Sequence, residues 1–203
     1  MKLITLSALV LSFAAAAAPT QVPQAHPKEP KVMVEEFWKL ETDGGRLTPE
    51  GWNKANAFFV RSTTPPTKRI ILVIDKDFSV WDPVVKGNTA DVIVGVHGIC
   101  EINSELRSSR WPPAATGKDG AFWKLVLTNK HWELGTDGNA AREVTGSAEW
   151  RIDSAGSGGT GNEIWLTVGA AIRYVTQMRD KTTNPVVKQN ADRTLSILKR
   201  HLH

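Results

Sequence analysis

From Val32 to Thr42 apolar residues recur at helical spacing, with Val34, Phe37 and Leu40 or Glu41 on one side, and the Gly44-Gly45 pair ends the run. A second helix is expected in "LTPEGWNKANAFFV". Thr48 is placed to cap it, Pro49 occupies a first-turn position where a missing N–H costs nothing, and Trp52, Ala55, Asn56 and Phe59 share a face. After "TTPPT" the period changes from that of helices to that of strands. "RIILVID" and "FSVWDPVV" are read as two strands joined by an Asp75-Lys76-Asp77 turn, and "KGN" at 86–88 turns the chain into a long strand from Thr89 to Ile102.

The stretch 103–120, with Trp111-Pro112-Pro113, is too irregular to assign. Strands resume in "AFWKLVLTNKHWEL" and "REVTGSAEWRI", on either side of the turn-forming "GTDGNA". In the latter, Val144, Gly146, Ala148, Trp150 and Ile152 alternate with Glu143, Thr145, Ser147, Glu149 and Arg151, the pattern of a sheet with one wet face. "SAGSGGTGN" reads as a joint of small and polar residues. No Lys-Ser/Thr pair follows its glycines, so it lacks the elements of a phosphate loop. Thr167 then caps a helix to about Lys181, and Asn184-Pro185 starts another with Val187, Ala191, Leu195, Leu198 and Leu202 aligned. The short connection predicts an antiparallel helical hairpin over 167–202. The expected fold class is α+β: two helices, a curved antiparallel sheet of about five strands, and the hairpin.

Composition adds a compartment. "MKLITLSALVLSFAAAAAPTQ" has one basic residue, an apolar run and an Ala15-Ala16-Ala17 cleavage pattern, so residues 1–18 are expected to be a secretory signal peptide. The run is too short and too interrupted by Thr5, Ser7 and Ser12 to span a bilayer. Residues 19–31, rich in proline, form a tether, and 32–203 make one domain. The expected location is the periplasm or the exterior of a bacterial cell. Cys100 is the only cysteine, so no internal disulfide can hold this exported chain together. The net charge of +4 is concentrated after Ala171, but those basic residues are interleaved with an apolar stripe and no aromatic ladder accompanies them. Neither nucleic acid nor membrane is therefore an expected partner.

Candidate chemistry centres on "VGVHGICEINSEL". Strict alternation places Val92, Val94, Val96, Gly98, Cys100 and Ile102 on one face, and Asp91, Ile93, Gly95, His97, Ile99 and Glu101 on the other. Without a bulge, His97 and Cys100 point apart and cannot form a thiol–imidazole pair. His97 and Glu101 share a face, about 13 Å apart. His131 and Glu133 alternate likewise, and convergence of all four on a metal would need a strand register that the sequence leaves open. No metal and no cofactor is expected. Eight tryptophans stand against one tyrosine. Trp52, Trp123 and Trp150 fall on apolar faces. Trp81, Trp111 and Trp132 sit beside turns, and with Trp123 they are the candidate ligand-binding residues.

Two N-terminal helices followed by long alternating strands, with "GNTADVIVGVHGI" and a late "EWRI", resemble the cone-shaped fold of the nuclear-transport-factor-two-like superfamily, which includes ketosteroid isomerase and polyketide-cyclase-like domains. The resemblance covers roughly residues 32–153 and implies a curved sheet around helices with an apolar cavity at its open end. No isomerase-type Tyr and Asp pair can be matched, since the only tyrosine, Tyr174, lies in the added hairpin. No catalytic residue is carried over. The expected function is a non-catalytic module that binds a small apolar molecule in its cavity or contacts a protein partner. The alternatives are an isomerase, cyclase or dehydratase using His97 or Glu101 as general base, and a self-associating structural protein that forms a homodimer.

Overall fold

The structure, a computed structural model, describes residues 27–110, 120–135, 141–153 and 163–202. Helix α1 (Pro30–Thr42) and helix α2 (Pro49–Asn56) precede strands β1 (Ile70–Val80), β2 (Val84–Lys86), β3 (Thr89–Ile102), β4 (Ser108–Arg110), β5 (Gly120–Leu134), β6 (Ala141–Ile152) and β7 (Glu163–Thr167); helices α3 (Val168–Lys181) and α4 (Pro185–Leu198) follow. Helix α1 begins at Pro30, two residues before the expected Val32 and inside the expected tether, whereas the other three helix starts are those the sequence predicts. Thr48 accepts a hydrogen bond from the Gly51 N–H, Thr167 from Ala170, and Asn184 from Val186 and Val187. Gly44, at φ 96°, returns its N–H to the Glu41 carbonyl and ends α1.

Among the described residues the sheet has seven strands and is mixed, which corrects the expectation of about five antiparallel ones. Its order is β6-β5-β3-β1-β7, with β2 and β4 also on β3, and β7 runs parallel to β1. The β7 sequence "EIWLT" is buried at its three central positions, so it lacks the alternation of a strand with one wet face. The expected turn at Asp75-Lys76-Asp77 is instead a bulge inside β1: Ile74 pairs with Gly98 and Phe78 with Val96, so these three residues lie opposite His97 alone. A second bulge lies in β3. Val73 pairs with Cys100 and Ile74 with Gly98, leaving Ile99 unpaired.

That extra residue switches faces. Val92 and Val94 pack with Phe37 and Trp38 of α1, whereas Cys100 and Ile102 pack with Val73, Leu166 and the α3–α4 hairpin. Cys100 is buried as expected, but on the face opposite Val94, and the shared face expected for His97 and Glu101 is lost. The result is a sheet with α1 against one face and the hairpin against part of the other, while α2 divides its buried residues between the two cores, Ala55 on the α1 side and Trp52 on the hairpin side.

On the α1 side the core is aromatic. Trp38 meets Trp123 edge to face at 5.9 Å and Trp165 at 5.2 Å, while Phe37 contacts Phe58, Phe59 and Trp123. The indole N–H groups of Trp38 and Trp123 have no hydrogen-bond partner among the described residues. Neighbouring ring faces are the weak acceptors within this cluster. At its edge lies a fully buried ion pair. Arg46 donates through Nε and Nη2 to Glu41, both at 2.6 Å, and through Nη2 to the Glu163 carbonyl; Glu41 also accepts from the Trp165 N–H at 2.9 Å. Arg46 lies over the Trp52 ring as well, 5.1 Å from its centroid. This network ties α1, the turn after it and β7 together. Gly51 makes room for it, because a Cβ there would fall 1.7 Å from the Gly45 carbonyl oxygen.

On the hairpin side, α4 holds the turn after β3 through its own buried polar side chains. Thr194 accepts from the Ser108 N–H and donates to the Leu106 carbonyl, and Asn190 donates to Glu105. Leu106, at φ 59°, adopts the left-handed conformation there with its side chain in the core. No described helix is long and apolar enough to cross a membrane.

Candidate functional site

The site begins with the second half of the β5–β6 pair. Thr128 pairs with Glu149 and Lys130 with Thr145, so Gly146, Ser147 and Ala148 lie opposite Asn129 alone. Thr128 Oγ1 holds this bulge by accepting from the Lys130 N–H and donating to its carbonyl. From Ala141 to Glu149, β6 is exposed except at Val144, which corrects the expectation of one dry face; Trp150 is half-buried and Ile152 fully buried. Helix α2 is shorter than the apolar pattern predicts, and after Asn56 the chain extends along the sheet. There Phe58 accepts from the Ile152 N–H, and Val60 donates to Ile152 and accepts from Trp132. Between this segment, α1 and the β6 bulge lies a cleft of about 440 Å³.

Its walls are Met33 of α1, Ala57 and Phe58 after α2, and Ala148 and Trp150 of β6, while Lys28, Glu36 and Glu149 stand at the mouth. Each of these three charges is ion-paired: Lys28 with Glu36 at 2.8 Å, and Glu149 with Arg151 at 3.2 Å. The volume falls in the range of small-molecule sites, roughly 300–1,000 Å³.

The candidate tryptophans do not converge on this cleft. Trp123 is fully buried in the aromatic core. Trp132 is half-buried beneath the Arg61 guanidinium, 5.7 Å from its ring centroid. Trp81 is 50% exposed on the opposite sheet face, and Trp111 lies outside the described residues. Trp150, which the alternation assigns to the core, is the tryptophan that lines the cleft.

The ionisable candidates are also dispersed. His97 is 78% exposed, 3.9 Å from Asp75. Glu101 pairs with Leu72 on the other face. His131 and Glu133 meet at 2.9 Å, and the imidazole hydrogen bond, helped by Arg142, holds the Glu133 carboxyl below its ordinary range. No group of three or more metal-ligating side chains occurs among the described residues. Burial pushes the Cys100 thiol up to about 11, which removes the thiolate that nucleophilic chemistry needs.

Away from the cleft, Trp81, just after β1, lies beside Ile93 of β3 and Phe122 of β5 on the face turned from α1. They are 50%, 38% and 45% exposed, an uncovered apolar row. Comparison of the chain with protein-family models, with curated proteins and with solved structures finds no match in any of the three.

Proposed function

We propose that the chain is an exported, non-catalytic binding module whose cleft between α1 and β6 takes a small apolar molecule. The observation that carries this reading is the division of the cleft: Met33, Phe58, Ala148 and Trp150 form its walls, and its three charges are exposed and held in ion pairs, Lys28 with Glu36 and Glu149 with Arg151. Such a surface offers an apolar ligand burial without desolvating an unpaired charge. General acid–base chemistry requires a titratable group within hydrogen-bond reach of the substrate; neither His97 nor Glu101 lines the cleft, and the carboxylates that do, Glu36 and Glu149, are held in ion pairs with Lys28 and Arg151. The leader-like residues 1–18 support a bacterial periplasmic or secreted location. Two N-terminal helices ahead of a bulged sheet, with α1 packed on one face of it, support a cone-like arrangement of the nuclear-transport-factor-two-like kind.

The test is a titration with a neutral apolar dye such as phenylnaphthylamine. The native protein should bind it saturably with enhanced emission. Ala148→Trp, which fills the cleft from an exposed strand position, should abolish binding with the circular dichroism spectrum intact. Undiminished binding by that variant would refute the site.

A second reading rests on the row of Trp81, Ile93 and Phe122, which supports self-association through the sheet face. Sedimentation of the native protein and of Ile93→Asp tests it: a dimer converted to monomer supports the reading, and a monomer at all concentrations excludes it.

A further inference from the structure

A second cavity, of about 510 Å³, lies on the other side of the molecule between the start of α2, the segment leading into β1, and α3. We propose that it binds an oxyanion, a carboxylate or phosphate group, carried on a small molecule with a short apolar body.

The cavity gathers cations and hydroxyls and no carboxylate: Arg69, Lys181, Tyr174 and Ser104 line it beside Leu47 and Met178. Arg69 is half-buried. Its Nη1 donates to the Leu47 carbonyl at 3.0 Å, which tethers one edge of the guanidinium, and it has no carboxylate partner among the described residues. A guanidinium taken partly out of water without a counter-ion carries a desolvation cost that a bound anion offsets, and its planar fork matches carboxylate and phosphate geometry. The ammonium of Lys181, one turn beyond Met178 on α3, likewise forms no ion pair among the described residues.

Tyr174 supplies the third donor. Its ring is half-buried, and its hydroxyl makes no hydrogen bond within the described protein. Burial pushes the phenol above its ordinary range while Arg69 pulls it down, so the guanidinium lies close enough to act on the hydroxyl. The phenol therefore stays protonated at neutral pH and is available as a donor. A guanidinium, an ammonium and a phenol line one space, whose remaining wall sets Leu47, Pro49, Pro66 and Met178 beside Thr48, Thr67, Ser104 and Gln177. That combination suits an acid with an apolar tail better than a bare ion.

The chain carries its own reporters. Tyr174 is the sole tyrosine, and of the three methionines Met178 lines this cavity and Met33 lines the apolar cleft. Protein isotope-labelled at the tyrosine ring and the methionine methyls is titrated with octanoate, inorganic phosphate and octanol. Octanoate should shift the Tyr174 and Met178 resonances saturably and leave Met33 unmoved. Phosphate should move Tyr174 alone with an affinity at least about tenfold lower, and octanol should bind at least about tenfold more weakly than octanoate. Arg69→Gln should weaken octanoate at least about tenfold. Lys181→Gln, an exposed substitution on α3 that leaves packing untouched, should weaken it a few-fold. Absence of a saturable Tyr174 shift would overturn the proposal. So would unchanged octanoate binding at Tyr174 in folded Arg69→Gln or, if that variant does not fold, in Lys181→Gln, and so would octanol shifting Tyr174 with the same affinity as octanoate. Because Met33 reports separately, failure here leaves the apolar cleft standing, and the converse also holds.

Discussion

Removing Glu41 should cost this fold more than removing any other single surface-free polar side chain, and the cost should fall when Arg46 is removed with it. Glu41 is 0% and Arg46 1% exposed, so neither charge is relieved by water in the folded state. In Glu41→Ala the guanidinium stays buried without its counter-ion, which by itself costs about 3–5 kcal/mol. The Trp165 N–H loses its acceptor too, adding about 1–3 kcal/mol. Partial relaxation and water entry reduce the sum, so about 4–6 kcal/mol is expected, a large fraction of a typical domain's stability of about 5–15 kcal/mol. In the double variant Glu41→Met/Arg46→Met no charge remains buried. The Trp165 N–H and the Glu163 carbonyl are still left without these partners, which sets the cost at about 2–4 kcal/mol. Urea unfolding followed by far-UV circular dichroism at neutral pH measures both. A single-variant cost below about 1 kcal/mol, or a double variant less stable than the single, would refute the reasoning that an uncompensated buried charge dominates.

Cys100 should resist a polar thiol reagent at mildly alkaline pH in the native state and react at once in denaturant, because burial holds its thiol up to about 11; rapid native labelling would contradict its placement under the hairpin. Burial, then the nearby Glu101, raise the Glu163 carboxyl above its ordinary value of 4.5 against the opposing pull of Arg46. A folded-state pKa above the unfolded one means that ionised Glu163 lowers stability at neutral pH, and that this loss is recovered as pH falls through the folded and then the unfolded value. Glu163→Gln should therefore raise the thermal midpoint at neutral pH and leave it unchanged below about pH 4, and destabilisation at neutral pH would reverse the assignment. Asn184→Ala should cost about 0.5–2 kcal/mol, since that side chain caps the N–H groups of both Val186 and Val187 at the start of α4.

Where a signal is local, the sequence carries it. Thr48-Pro49, Thr167 and Asn184-Pro185 each combine a cap with a helical apolar stripe, and each begins a helix in the structure. Where the signal is a register, it is hidden. Asp75-Lys76-Asp77 has turn-like composition, yet it is a bulge because Ile74 and Phe78 both find partners on β3. Ile99 carries no mark of being the unpaired residue that moves Cys100 to the other face. The apolar cleft depends on the bulge opposite Asn129 and on the chain extending after Asn56, so its lining is brought together by pairings between distant segments. The ion pair had one visible clue: Glu41 shares the stripe of Val34 and Phe37, and a carboxylate on an apolar face requires a buried cation. Arg46, beyond the Gly44-Gly45 pair, is within reach of it.

The binding reading turns on whether Met33 senses an apolar ligand. Protein isotope-labelled at its methionine methyls, with the Met33 signal assigned through Met33→Leu, is titrated with phenylnaphthylamine alongside Ala148→Trp. The account predicts a saturable shift of the Met33 resonance with Met178 unmoved, and no Met33 shift in Ala148→Trp. An unmoved Met33 signal in the native protein at saturating dye, or an equal shift in the filled variant, would contradict it.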